Sequence, residues 1–250
     1  MKLKFLGTNG WFPSGTGSTP CVSIRMQDRL IVFDAGGGFA KVKEECEFAD
    51  AKRIDVFISH LHLDHIEGLH TLARLPEEIV ARIFAPRQYL KPLGLLLGHP
   101  YTAPLGMLKA NARLLPFEGA PKDAPYLISS LPLKHADPCF GYRLEAEGRT
   151  IAYCTDTGPC GNLLKLARNA DLFITECSLL PGSEISKRWP HLNPETAASL
   201  AKKAGAKKLA LTHFDASNYS SSALRNKALA SARRMFKNTI AAKDGLVVEI

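Results

Sequence analysis

No stretch of the sequence approaches the roughly 18 consecutive apolar residues that a membrane-spanning helix requires, so no membrane role is expected. The opening run, Met1-Lys2-Leu3-Lys4-Phe5-Leu6-Gly7, lacks the longer apolar segment and small-residue cleavage site of a secretory signal. The six cysteines, at 21, 46, 139, 154, 160 and 177, include no CxxC pair, and a chain of 250 residues needs no disulfides to stabilise its core. A reduced, cytoplasmic setting is the expectation. There is also no repeat, low-complexity tract or linker-like composition, so residues 1–250 are expected to form a single domain. Acidic residues are scarce beside basic ones, 24 against 32, which leaves a formal net charge of +8. A positive field concentrates anionic ligands. An anionic small molecule, a nucleotide or RNA is therefore the expected partner, and a homodimer is compatible with the same features. Much of the positive excess lies late in the chain, from Lys202, Lys203, Lys207 and Lys208 to Arg225, Lys227, Arg233, Arg234 and Lys237. Solvated helix faces are the simpler account of that distribution.

What is present is a 46% hydrophobic composition, enough to bury a substantial core. Apolar runs near 2–6, 21–26 and 30–34, the last two with β-branched residues, separated by Gly/Ser/Thr/Pro stretches, predict short antiparallel strands. Ile54-Asp55-Val56-Phe57-Ile58 predicts another strand, and the spacing of Ile66, Leu69, Leu72 and Ala73 a helix after it. The pattern weakens over 76–120, where strands near 79–84 and 112–117 and helical stretches at 87–97 and 102–109 are expected. Strands follow at 126–133, 140–145 and 149–154, the last two joined by Ala146-Glu147-Gly148 as a hairpin. A helix at 161–169, a strand at 171–175, helices at 194–204 and 221–236, and strands at 207–212 and 245–249 complete the series. Strands precede helices in each half, which points to an α/β chain with two facing sheets and helices outside, a four-layer αββα sandwich.

The chemistry begins at His60-Leu61-His62-Leu63-Asp64-His65, four potential metal ligands in six residues directly after a strand. Imidazole and carboxylate together suit zinc, manganese or iron, whereas calcium or magnesium would call for oxygen donors alone. Side chains two apart on extended chain point the same way, so His60 and His62 can hold one ion, and a turn after Leu63 can offer Asp64 and His65 to a second. The alternative is a surface cluster that holds no metal. Cys139, Cys154, Cys160 and Cys177 are candidate soft ligands, with buried thiols the favoured reading.

The segment from Ile58 to Leu69, with its HxHxDH core, resembles the signature of the metallo-β-lactamase superfamily. That resemblance implies a lone His, an Asp and a final His further on, each beyond a strand. His135 in Leu131-Pro132-Leu133-Lys134-His135, Asp156 in Cys154-Thr155-Asp156-Thr157-Gly158 and His213 in Leu209-Ala210-Leu211-Thr212-His213-Phe214 fill these positions. It further implies His60, His62 and His135 on one ion, Asp64, His65 and His213 on the other, and Asp156 bridging. The cofactor would be two divalent ions, zinc first, with manganese or iron as alternatives. The 140–145 and 149–154 hairpin independently brings His135 and Asp156, 21 positions apart, to one sheet edge. Phe33-Asp34-Ala35-Gly36 looks like the family's second strand and turn. Asp34 is a candidate to orient a ligand imidazole, or merely opens the glycine-rich turn that follows it. The family's redox branch commonly carries Glu where His62 stands, so hydrolysis is the expected reaction.

His191-Leu192-Asn193-Pro194-Glu195-Thr196-Ala197-Ala198, leading into the segment that ends at His213, resembles the tRNase Z and related phosphodiesterase branch. The resemblance implies that His191 meets the scissile phosphate or protonates the leaving oxygen, and that Glu176 in Thr175-Glu176-Cys177 orients it. Asp64, His191 and Glu176 are thus the candidate catalytic residues. One departure matters: the 21 positions from His135 to Asp156 leave no room for the long tRNA-gripping arm of bacterial tRNase Z. A cyclic nucleotide, a cyclic phosphate or short RNA is the expected substrate. Two alternatives are a hydrolase of a thioester, lactone or lactam, and a nucleic-acid-binding protein whose metals are structural.

Overall fold

β-Branched and aromatic residues fit a pleated, half-buried surface, and the strands they form gather into two compact units, one of Met1–Gly7, Thr19–Asp123 and Asp244–Glu249, the other of Thr8–Ser18, Ala124–Lys243 and Ile250. The computed structural model describes residues 1–119, 121 and 124–250.

In the first unit seven strands lie in the order Val247–Glu249, Lys2–Gly7, Cys21–Met26, Arg29–Phe33, Arg53–Phe57, Val80–Ala85, Asn111–Pro116. Pairing is antiparallel up to Arg29–Phe33 and parallel from there on. Parallel strands are usually covered on both faces and read as nearly continuous apolar runs. That is the pattern of Leu30-Ile31-Val32-Phe33 and Val56-Phe57, all buried, with the Phe57 and Phe84 rings stacked at 5.1 Å between centroids. A buried ion pair interrupts this core. Asp55, fully buried, accepts from Arg29 Nη1 at 2.6 Å and from Arg82 Nε at 2.6 Å, so its charge is neutralised from the two neighbouring strands. Asp55→Ala deprives the buried Arg29 guanidinium of its carboxylate, and a loss of about 3–5 kcal/mol in chemical denaturation is expected.

In the second unit six strands lie in the order Thr239–Ala241, Leu209–Thr212, Leu172–Glu176, Arg149–Cys154, Phe140–Ala146, Leu127–Pro132, and the short strand Asn9–Gly10 pairs with Phe214–Asp215. The helices Gly161–Ala167, Pro194–Ala204 and Ser222–Met235 contribute Leu163, Leu166, Ala197, Ala201, Ala228 and Ala232 to one buried cluster with Phe173, Leu209 and Leu211. The start of Pro194–Ala204 follows from local chemistry: Asn193 Oδ1 accepts from the Thr196 N–H at 2.8 Å, and Pro194 occupies the first turn, where its missing N–H costs nothing.

Two sequence expectations differ in detail. The helix expected at Ile66–Ala73 is one α-turn, Leu63–Ile66, followed by a 3₁₀ segment, Glu67–Arg74. Gly68 sets this path: its N–H bonds the Ala35 carbonyl at 2.8 Å, and a Cβ there would lie 2.1 Å from the Gly36 carbonyl oxygen. The helical stretch expected at 102–109 is a single 3₁₀ turn, Leu105–Met107, because Pro104 and Gly106 interrupt it. The helix Val42–Ala49 and the short strands Asn9–Gly10, Phe214–Asp215 and Thr239–Ala241 were not signalled by periodicity. Among the described residues, no helix is long and apolar enough to cross a membrane.

Candidate metal centre

In the first unit the strand Arg53–Phe57 runs out into Ile58-Ser59-His60, and the chain stays extended to His62 (φ −60°, ψ 142°) before the turn Leu63–Ile66 lifts Asp64 and His65. Alternation on extended chain, then one helical turn, is what separates the two donor pairs. Asp34, at the end of Arg29–Phe33 and at φ +57°, organises them. Its Oδ1 accepts from the Ser59 N–H at 2.7 Å, and its Oδ2 from the Ser59 hydroxyl at 2.9 Å and from His65 Nδ1–H at 2.8 Å. Having given its own proton to the carboxylate, Ser59 Oγ accepts from His60 Nδ1–H at 3.0 Å. Both imidazoles are therefore protonated on Nδ1 and keep a lone pair on Nε2. His65 Nε2 lies 3.5 Å from Asp64 Oδ2.

The second unit repeats this logic. The hairpin Phe140–Ala146/Arg149–Cys154 pairs Tyr142 with Tyr153, and beyond its open end an isolated bridge joins Lys134 to Gly158, where Gly158 N–H donates to the Lys134 carbonyl at 2.7 Å. His135 and Asp156 are thereby brought to one end of the sheet. Asp156 (φ +46°) and His213 (φ +48°) both follow strand ends in a backbone region that Asp and His tolerate better than most residues. Ser178 Oγ donates to the His213 carbonyl at 3.0 Å and so accepts from His213 Nδ1–H at 3.1 Å. The Nε2 lone pair of His213 then faces Asp156 Oδ2 at 3.1 Å. A lone pair against a carboxylate oxygen is repulsive unless a positive charge lies between them, so this donor set fits a cation. Gly10 closes over the ring, since a Cβ there would come 2.4 Å from His213 Cε1.

His191 lies beside these groups, its ring centroid 5.4 Å from that of His135 and 6.3 Å from that of His213. Its Nδ1 meets Glu176 Oε1 at 2.7 Å. Glu176 is fully buried at the end of Leu172–Glu176 and is fixed by the N–H groups of Thr157 (2.6 Å), Leu192 (3.1 Å) and Ser178 (3.3 Å). Burial alone would lower the His191 pKa, but the charge and hydrogen bond of Glu176, with Asp156 and Asp215, push it up to about 9.

Side chains able to hold a metal ion are His60, His62, Asp64 and His65 in the first unit and His135, Asp156 and His213 in the second. Among the described residues, no cysteine joins either group. None of the six cysteines is in a disulfide, and burial pushes the Cys154 and Cys177 thiols up, which keeps them protonated. Ser59 and Ser178, which fix the imidazole tautomers, were not anticipated from the sequence. Each lies two residues beyond a strand, in Phe57-Ile58-Ser59 and Glu176-Cys177-Ser178, the signal that could have found them.

Residues 29–214 match the family described as the beta-lactamase superfamily domain. Ribonuclease Z of Methanosarcina acetivorans is 25% identical, the alignment covering 100% of this chain and 98% of that protein. The alignment runs over 304 positions, so the ribonuclease carries insertions that this 250-residue chain lacks. Among solved structures, the metallo-beta-lactamase fold protein YhfI from Bacillus subtilis superposes with a TM-score of 0.81 at 21% identity, covering 100% of this chain and 98% of that one. Human tRNase Z, short form, does so with a TM-score of 0.75 at 24% identity, covering 100% and 99%. These likenesses show the mixed α/β fold expected from the sequence.

Proposed function

From the premise that the chain belongs to the beta-lactamase superfamily, we propose that it is a divalent-metal-dependent phosphodiesterase of the tRNase Z-like branch. His60, His62 and His135 would hold one ion and Asp64, His65 and His213 a second, with Asp156 available to both. Zinc suits this mixture of imidazole and carboxylate, and manganese or iron would be accepted by the same donors. The observation that carries the reading is the set of metal-type donors just beyond the strand ends of each unit, His60, His62, Asp64 and His65 in the first and His135, Asp156 and His213 in the second. Asp156 Oδ2, 3.1 Å from His213 Nε2, supports the bridge.

Two ions bound there would supply a water activated near neutral pH and positive charge against a phosphate. The chain's own residues do the rest. Asp34, Ser59 and Ser178 hold three imidazoles in the Nδ1–H tautomer, so that the lone pair lies on Nε2. Asp64 is both a ligand and a carboxylate able to take a proton from the attacking water. His191, held by Glu176 through Nδ1, presents Nε2–H to the leaving oxygen, where protonation is needed as the P–O bond breaks. The +8 charge and the ribonuclease Z relatives favour a nucleotidic anion over a neutral carbonyl compound. Short RNA, a cyclic nucleotide or a cyclic phosphate fits a chain shorter than those relatives.

The test is a comparison of rates for the Mn²⁺- or Zn²⁺-loaded protein on bis(p-nitrophenyl) phosphate and a 2′,3′-cyclic nucleotide against a thioester, a lactone and a lactam. Preference for the phosphodiesters is expected. Turnover of only the carbonyl substrates, with His191→Ala harmless, would move the protein to the alternative class. Tight RNA binding without turnover would leave the metals structural. The Asp34 network supplies a separate prediction: Asp34→Ala frees the His65 ring and the Ser59 hydroxyl, and metal affinity by competitive chelator titration is expected to fall about 10–100-fold.

A further inference from the structure

The chain has only two tryptophans, and both lie exposed near site histidines of the second unit. Trp189 is 52% exposed, its ring centroid 5.4 Å from that of His135 and 6.5 Å from that of His191. Trp11 is 68% exposed and follows Gly10, the residue whose backbone covers the His213 ring. Indoles usually hide most of their large apolar surface, so two left in water near site histidines call for an account.

Trp11 is not exposed through slack in its turn. It sits at φ +73°, a region that bulky L residues avoid. The turn around it is fastened on both sides. Asn9 Nδ2 donates to the Phe12 carbonyl at 3.3 Å and to Ser14 Oγ at 2.9 Å. Arg225, buried, donates to Thr8 Oγ1 at 2.9 Å, to Thr16 Oγ1 at 3.3 Å and to Asn9 Oδ1. Phe12, itself 39% exposed, meets the Trp11 ring edge-on at 5.4 Å. Strain held in place by surrounding bonds, with a large π-face outward, is a feature that functional sites retain.

We propose that Trp189 and Trp11 are stacking surfaces for the nucleobase of the substrate, which makes the enzyme selective for nucleotidic phosphodiesters over alkyl ones. This rests on the phosphodiesterase reading. The metal ligands and His191 account for the phosphate half of such a substrate, and the two indoles match the remaining half, a planar aromatic base. Every base has a π-face, so selectivity for a base over none is expected, with little discrimination among bases.

Two measurements decide it. For 2′,3′-cyclic AMP against a base-free cyclic phosphate such as glycerol 1,2-cyclic phosphate, the ratio of kcat/KM is expected to fall about tenfold in Trp189→Ala and less in Trp11→Ala, through KM. Trp189→Phe should restore most of it. In parallel, AMP but not ribose 5-phosphate should quench the protein's tryptophan fluorescence saturably, and less so in each Trp→Phe variant. An unchanged ratio in both alanine variants, or equal quenching by both phosphates, overturns the proposal while leaving the phosphodiesterase reading intact. If no phosphodiester is cleaved, that reading fails, and the AMP titration still tests base stacking on the indoles. Loss of a dimer in either alanine variant, with the ratio preserved, would assign the tryptophans to contact between copies and overturn the proposal.

Discussion

Asp156→Asn is expected to reduce phosphodiester turnover by more than the roughly 100-fold that marks the upper end for groups one bond removed from a metal, and to lower metal content in the same preparation. Asparagine keeps the volume of Asp156 and tolerates its φ of +46°, so the backbone after Arg149–Cys154 should be undisturbed. What it removes is the charge. In the native chain His213 Nε2 and Asp156 Oδ2 stand 3.1 Å apart with the imidazole proton committed to the far side of the ring by Ser178. A cation between them converts that repulsion into two bonds. The asparagine amide can place its own N–H₂ against the Nε2 lone pair, which satisfies the histidine without metal. Metal analysis after dialysis, with circular dichroism to confirm an unchanged fold, checks this. A variant that retains full metal content and activity would remove Asp156 from the proposed bridge.

His191→Ala should act differently, lowering kcat by about 10²–10⁴ while metal content stays at the wild-type level. The loss belongs to proton donation. Despite burial, which alone would lower it, the His191 pKa is held up at about 9 by Glu176, Asp156 and Asp215, so the ring is in its acid form at neutral pH. Divalent ions nearby favour the neutral ring, and the basic limb of the loaded enzyme is therefore expected at or below about pH 9. That limb should vanish in His191→Ala and move to lower pH in Glu176→Gln, which removes the main raising influence and leaves the lowering effect of burial. The sign for stability follows from the same shift. A folded-state pKa above the ordinary 6.5 means that the pair's contribution is complete below about pH 6.5 and is lost as pH rises through about 9. Rate–pH profiles of the three proteins, read beside their metal contents, separate this role from a structural one. A His191→Ala enzyme with the wild-type profile would exclude it.

How much of this was legible in the sequence depended on how local the cause was. His60, His62, Asp64 and His65 announce themselves because four donors fall in six residues after a strand. His135 and Asp156 could be joined from the hairpin alone, since antiparallel pairing of 140–145 with 149–154 leaves their flanks side by side, and the Lys134–Gly158 bridge is that geometry. The start of Pro194–Ala204 was readable from Asn193-Pro194, because a cap is a contact between near neighbours. Other features depend on residues far apart in the chain. Arg29, Asp55 and Arg82 meet only once three parallel strands are in register, and nothing in Ile54-Asp55-Val56 names their partners. The same holds for Ser178 against His213 and for Asn9–Gly10 against Phe214–Asp215, pairings between segments more than 30 residues apart in which the local sequence is too short to carry a period. The split of the expected helix at Ile66–Ala73 likewise came from a distant loop pressing on Gly68.

The central claim is that a two-ion site cleaves phosphodiesters. Its most direct test is metal content by mass spectrometry on the same samples whose turnover of bis(p-nitrophenyl) phosphate is measured, before and after chelation and after reloading with Zn²⁺ or Mn²⁺. The account predicts two divalent ions per chain, a rate that follows loading, and loss and recovery of both together. Full turnover by metal-free protein, or a protein carrying two ions that cleaves no phosphodiester, would contradict it.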